Sequence, residues 1–367
     1  MAKKQVKMNR LIIIGNGFDL AHKLKTSYAD FVKDYIKNVI NYFYKNDSSI
    51  DPLIEITYRH SSYYINDQHE IDAENAVEVL ETLQSGSRRG IVSVNIKSSF
   101  LEKTLNKINE INWVDLEDDY FKDLLACKNS KGFDFAKVKT LNDEFDFLKK
   151  KLEEYLIKVE NENECPFSTE ISNLFCEQIK GRDIVTLTIE DQSPNKILIL
   201  NFNYTNTLEK YKEECEKSVS TEINYIHGKL GTSSNPLIFG YGDEYNKSYL
   251  EFEELKNKEL LKHIKSFGYF KTTNLHDLIR FIEKDFFQVY IFGHSLGLSD
   301  RTMLKQIFED DKCKSIKIFY HNSNKTQDDY TDKTYDISTH FSDKALMRKK
   351  IVNKPNSSPM PQPNILG

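Results

Sequence analysis

One decapeptide, LIIIGNGFDL at residues 11–20, narrows the folds open to this chain more than any other stretch. A run of aliphatic residues stops at Gly15, and Gly15-Asn16-Gly17 can turn tightly because two of its three residues carry no Cβ. Apolar residues then recur at Leu20, Leu24, Tyr28, Phe31, Val32 and Tyr35, close to helical spacing. The order is buried strand, glycine turn, helix. It aims N–H groups and the positive end of a helix at an anion in the turn, and on that reading Gly15→Val abolishes ligand binding with little loss of fold. The third glycine of a dinucleotide fingerprint is absent, since Leu20 holds its place, so a plain structural turn fits the same residues.

Further aliphatic runs follow at 196–200, 223–226, 288–292 and 315–320, with a shorter one, PLIFG, at 236–240. Helical periodicity fills the intervals, including residues 20–35, 207–215 and 248–285, and Ser299 or Asp300 can cap a helix running through Met303, Leu304, Ile307 and Phe308. Strands alternating with helices predict an α/β fold with a mainly parallel, Rossmann-like sheet. Residues 36–195 are Tyr-, Asn-, Glu- and Lys-rich and mostly helical in period, which predicts a large helical insertion covering the sheet. Phe145, Leu148, Leu152, Tyr155, Leu156 and Val159 mark one amphipathic helix in it, and 85–90 a surface loop. The core is then residues 9–35 and 196–350, and the Pro- and Asn-rich residues 355–367 are expected to be disordered.

In such sheets ligands sit at the carboxyl ends of strands. Polar clusters fall there four times: Gly15-Asn16-Gly17, residues 201–206, His227-Gly228 and Gly293-His294-Ser295. Asn203 can orient a water or a sugar hydroxyl, or serve as an Asx turn. His227 is the natural supplier of a general base, or merely ends a strand. Gly293-His294-Ser295-Leu296-Gly297 matches a nucleophile elbow built on Ser295, with Asp328, Asp329 or Asp336 and His340 as later partners. That order sets His227 before the serine, which is wrong for such a hydrolase. Zinc spacings and a Walker loop are missing, so no metal is expected. The lone tryptophan, Trp113, stands beside Asp115, Glu117, Asp118 and Asp119, read as a solvated helix face.

Composition excludes broad classes. With 51 Lys+Arg against 56 Asp+Glu there is no general grip on nucleic acid. Five scattered cysteines with no C-x-x-C pair argue against a disulfide framework and for a reducing cytoplasm. The four-residue aliphatic run before Gly15 is too short for a signal peptide or membrane span.

NRLIIIGNGFDLAHKLKTSYADF, LNFNYTNTLE, YIHGKL, IFGYGDE and VYIFGHSLGLSD together resemble the AbiH family of bacteriophage abortive-infection proteins, over residues 9–321 and in the same order. Lys23 departs from the pattern, which has a glycine there. More distantly, the chain resembles sirtuin-like NAD-binding domains. That resemblance implies a sirtuin-type core in which Gly15, Asn16, Gly17, Phe18 and Asp19 form the nucleotide loop. It places the ribose- or water-holding asparagine at Asn203, the base at His227 and a late nucleotide-contacting element at Gly293, His294 and Ser295, with Asp300 beyond it. Thr205 stands where those domains carry an aspartate. The implied activity is a cytoplasmic NAD glycohydrolase that binds NAD and breaks its nicotinamide bond when an unidentified phage trigger is sensed. No membrane or nucleic-acid partner is implied, and a homo-oligomer is compatible with it. A serine hydrolase using Ser295 and a non-catalytic nucleotide sensor are the alternatives.

Overall fold

The computed structural model describes residues 6–59, 70–88, 91–108, 113–242, 248–324 and 327–363. Among them are fifteen α-helices and a six-stranded sheet, a mixed α/β architecture. The sheet strands are β1 (Met8–Ile14), β2 (Ile197–Asn201), β3 (Thr221–Tyr225), β4 (Phe286–Phe292), β5 (Cys313–Tyr320) and β6 (Ser358–Pro359), in spatial order β3-β2-β1-β4-β5-β6. Every adjacent pair runs parallel.

Alternation along the strands sends successive side chains to opposite faces. Leu11, Ile13, Leu198, Leu200, Val289, Ile291, Ile316 and Ile318 pack on one face with helices Asn274–Lys284 and Arg301–Glu309. Ile12, Ile14, Ile197, Ile199, Tyr290 and Phe292 pack on the other with helices Asn16–Ala21, Thr169–Cys176 and Glu209–Glu216. Burial on both faces is why these strands read as unbroken aliphatic runs.

The chain divides into two compact units. One, Met1–Leu24 with Leu156–Glu251 and Ile264–Gly367, holds the sheet. The other, Lys25–Tyr155 with Phe252–His263, packs Phe100, Tyr120 and Phe145 ring on ring. It is not purely helical: Ser48–Ile50, Ile54–Tyr58 and Val92–Ile96 form an antiparallel sheet, and the 28-residue helix Phe135–Glu162 contributes Val138, Phe145 and Leu152 to buried positions.

Several expectations are corrected. The helical period at 20–35 is two helices, Asn16–Ala21 and Tyr28–Asn46, because Lys23 adopts a left-handed φ of 64° and Ser27 with Asp30 forms a capping box that starts the second. Lys23 thus occupies a conformation that favours glycine, the residue its position lacks. Helix Ala76–Arg88 runs through most of the supposed loop at 85–90; residues 89 and 90 lie outside the described set. Residues 236–240 form no strand: they cross the strand ends irregularly, Ile238 N–H donating to the His227 carbonyl at 2.7 Å. Of the tail, expected to be disordered over 355–367, residues 358–359 form β6 and Met360 is buried; residues 364–367 lie outside the described set. No helix among the described residues is long and apolar enough to cross a membrane. All five cysteines are free thiols.

Candidate functional site

The four polar clusters follow four contiguous strands, β3, β2, β1 and β4. The turns after β1 and β4 interlock. Gly15 N–H donates to the Phe292 carbonyl at 3.1 Å and Gly17 N–H to the Gly293 carbonyl at 2.8 Å. A Cβ on Gly15 would stand 2.5 Å from His294 Cα, and one on Gly293, at φ 64°, would stand 2.2 Å from Phe18 N. These glycines permit two backbone turns to touch, and the Gly15 and Gly17 N–H groups are spent on that closure and not left for an anion. The expectation that Gly15→Val costs little of the fold therefore loses its physical basis.

Around the turns lie two polar groups. In the first, Asn203 Nδ2 donates to the Gly15 carbonyl at 3.1 Å, tying the end of β2 to the turn after β1, while Asn203 N–H donates to Asn201 Oδ1 at 3.0 Å. The Asx turn here is made by the side chain of Asn201, while the Asn203 amide reaches across to the neighbouring turn. Thr205 Oγ1 donates to Asp19 Oδ2 at 2.7 Å, and Thr207 Oγ1 to Thr205 Oγ1 at 3.1 Å. Asp19 is 1% exposed, and its other oxygen, Oδ1, is buried without a hydrogen bond among the described residues. Burial pushes this carboxyl up to about 6, against the hydrogen bond from Thr205.

The second group centres on Asp300. Its Oδ1 lies 3.2 Å from His227 Nε2 and 2.9 Å from Lys265 Nζ, and its Oδ2 lies 3.8 Å from His294 Nε2. Tyr269 OH is 3.1 Å from His227 Nε2, and Lys265 Nζ is 3.3 Å from Ser299 Oγ. Asp300 stands at the N-cap position of Arg301–Glu309 but its side chain makes no capping bond; it turns inward to the cations instead. Burial pushes the carboxyl up, yet Lys265, His227 and His294 outweigh it and hold Asp300 well below the usual carboxylate range. Burial pushes His294 down to about 3 despite Asp300. Leu296 N–H donates to His294 Nδ1 at 2.9 Å, so the imidazole is neutral with its proton on Nε2. The Phe202 ring lies edge-on to both His227 and His294, at 4.9 and 4.3 Å between centroids.

Solvent reaches this end of the sheet at Asn16, Gly17, Gly293 and Ser295, whereas Phe18, Asp19, Asn203, Thr205, His227, His294 and Asp300 are buried. The hydrolase geometry does not assemble. The left-handed residues in its motif are Gly293 and Leu296, not Ser295, and the next α-helix starts only at Arg301. His340 donates from Nε2 to the Leu296 carbonyl at 2.9 Å and is fully buried, while Ser295 is exposed.

Lys265 and Tyr269 escaped the sequence reading. They lie four apart in the five-residue helix Lys265–Tyr269, inside a Lys- and Phe-rich stretch whose period marks only a helix. The available signal was a lysine and a tyrosine at one-turn spacing beside Phe267 and Phe270, which are 44% and 69% exposed, the reverse of ordinary patterning.

No curated protein sequence matches the chain significantly. The family model described as bacteriophage abortive infection AbiH matches residues 11–322, from the first aliphatic residue before the glycine turn to the chain beyond β5, and so takes in every residue of both polar groups. With that span of a 367-residue protein matched, the chain belongs to the bacteriophage abortive infection AbiH family.

Proposed function

We propose that this antiphage protein acts in the cytoplasm by binding a nucleotide, NAD, at the carboxyl ends of β1 to β4 and hydrolysing its nicotinamide bond on infection. The observation that carries the reading is a buried imidazole, His227, 3.2 Å from a buried carboxylate and level with Asn203: each lies two residues beyond the paired positions Asn201 and Tyr225 of adjacent strands. The strand order supports it, since 3-2-1-4-5-6 is the order of doubly wound, Rossmann-type sheets, which hold dinucleotides in the crevice between β1 and β4. The distant likeness to sirtuin-like domains supplies NAD as the nucleotide.

In the reaction, water oxygen bonds to ribose C1′ as the C1′–N bond breaks. The bonding pair returns to the pyridinium ring, which leaves as neutral nicotinamide and needs no protonation. The water proton passes to His227 and on to solvent. Asn203 would hold the water or a ribose hydroxyl, and Asp19, linked to Thr205, would face the sugar. Burial of Asn203, His227 and Asp19 favours a second reading, a sensor that binds nucleotide without turnover, because a base must reach its substrate.

Incubation of purified protein with NAD, followed by detection of nicotinamide, separates the two. The proposal expects release by the wild type and loss of about 10²- to 10⁴-fold in His227→Ala or Asn203→Ala. In cells, the same variants should lose phage protection while their melting temperatures stay high enough to keep them folded. Protection lost while NAD stays constant would favour the sensor.

A further inference from the structure

His227 presents a question that its placement at a strand end does not answer: which ring nitrogen does the chemistry. Its Nε2 is engaged twice, by Asp300 Oδ1 at 3.2 Å and Tyr269 OH at 3.1 Å, while Nδ1 makes no hydrogen bond among the described residues. A neutral imidazole carries one proton and one lone pair, and a carboxylate can only accept. Asp300 is kept ionised by Lys265, whose side chain is 2% exposed and whose Nζ meets the same Oδ1 at 2.9 Å. Lys265 is itself fixed, its backbone N–H donating to the Tyr241 carbonyl at 2.8 Å. The charged and titratable groups facing His227 are thus Asp300, Lys265, Tyr269 and the more distant His294. Phe202 and Tyr204 supply ring contacts that restrain the imidazole plane.

We infer that Asp300, held by Lys265, is a positioning residue that fixes the His227 proton on Nε2 and so makes Nδ1 the nitrogen that accepts a proton. The inference rests on the hydrolytic reading above. In the step, an O–H bond of the attacking water breaks as an Nδ1–H bond forms, and the imidazolium keeps its Nε2–H on Asp300, whose charge stabilises it. The carboxylate does not take the proton. Lys265 touches neither reactant; it balances the charge of Asp300 so that the buried acid stays ionised without clamping His227 in its charged form.

The test is nitrogen-15 NMR of the full chain labelled at histidine, with the His227 signals assigned by their loss in His227→Gln. The expected wild-type signature at neutral pH is a protonated Nε2 and an unprotonated Nδ1. Asp300→Asn should erase that preference, because an amide can donate to Nε2, and should lower nicotinamide release about 10²-fold or more. Tyr269→Phe should keep the tautomer, because Asp300 still accepts from Nε2; a proton moved to Nδ1 in this variant would overturn the role given to Asp300. Lys265→Met, if folded, should weaken the Nε2 preference and lower nicotinamide release, because an Asp300 carboxyl without its cation can take a proton and donate to Nε2; an unchanged tautomer and unchanged release would overturn the role of Lys265. A wild-type proton on Nδ1 in an active protein would overturn the inference alone, and needs no variant of Asp300. A wild type that releases no nicotinamide would overturn both the inference and the reading beneath it.

Discussion

Thr205 Oγ1 donates to Asp19 Oδ2 at 2.7 Å, joining a hydroxyl from the turn after β2 to a carboxyl group. A carboxyl is present at this position of the site, delivered by the first helix and not by the strand end.

The same burial makes Asp19 a stability cost at neutral pH. Its folded pKa, about 6, is raised above the unfolded value, so the folded state holds the proton more tightly and stability falls as pH rises from about 4 through 6. The full effect is on the order of 3 kcal/mol. Asp19→Asn is expected to exceed wild type by on the order of 1–3 kcal/mol at pH 7.5 and to match it near pH 4. Denaturant titrations at the two pH values decide the point, and an equal gain at both would contradict the assignment.

Gly15→Ala should destabilise the sheet core. The new Cβ meets backbone atoms of His294 and Gly293, which cannot rotate away, and such overpacking typically costs about 1–3 kcal/mol. Urea midpoints measure it. A variant as stable as wild type would mean that the two turns do not interlock.

His294 should show the opposite pH dependence from Asp19. Its folded pKa, about 3, lies below the ordinary value of 6.5, so stability is intact above pH 6.5 and is lost as pH falls toward 3, by up to roughly 5 kcal/mol. His22, lowered by burial to about 4 and bonded to Phe18 O and Tyr211 OH at 2.7 Å each, adds to the same slope. His294→Asn preserves an acceptor for Leu296 N–H and should flatten the decline between pH 6.5 and 4. A slope unchanged in that variant would move the acid lability elsewhere.

Ser295→Ala should leave protection and stability near wild type, within about 0.5 kcal/mol, because the side chain is exposed. Treatment of the wild type with a fluorophosphonate should leave Ser295 unlabelled. Labelling, joined with loss of protection in the alanine variant, would restore the hydrolase.

Five of the six sheet strands were legible, because burial on both faces writes itself as a continuous aliphatic run. β6 was not: Ser358 and Pro359 pair only through backbone, and nothing in PNSSPMPQP advertises a strand. PLIFG has the right side chains for a strand but is held by the His227 carbonyl in an irregular path, a tertiary contact overriding local preference. The site was legible where it sits at strand ends, as with Asn203 and His227. Asp300 read as a helix cap because Asp before an amphipathic run is the usual cap signal; its true partners, Lys265 and His227, are remote in sequence. The glycines were legible as a turn, but their reason, contact with a second turn at Gly293, could not be seen until β1 and β4 were neighbours.

The sheet order also dictates a timetable. β1 ends at Ile14, yet its partners are β2, from Ile197, and β4, from Phe286. At a synthesis rate of about 5–20 residues per second, β1 is made roughly 10 to 40 seconds before the first of its partners exists. During that wait Met8–Ile14 is an unpaired apolar strand, the kind of segment that chaperones shield. A chain that ends between residues 227 and 300 carries His227 but no Asp300. Such a fragment is a substrate for quality control, and any toxicity that depends on the pair is withheld until the chain is nearly complete.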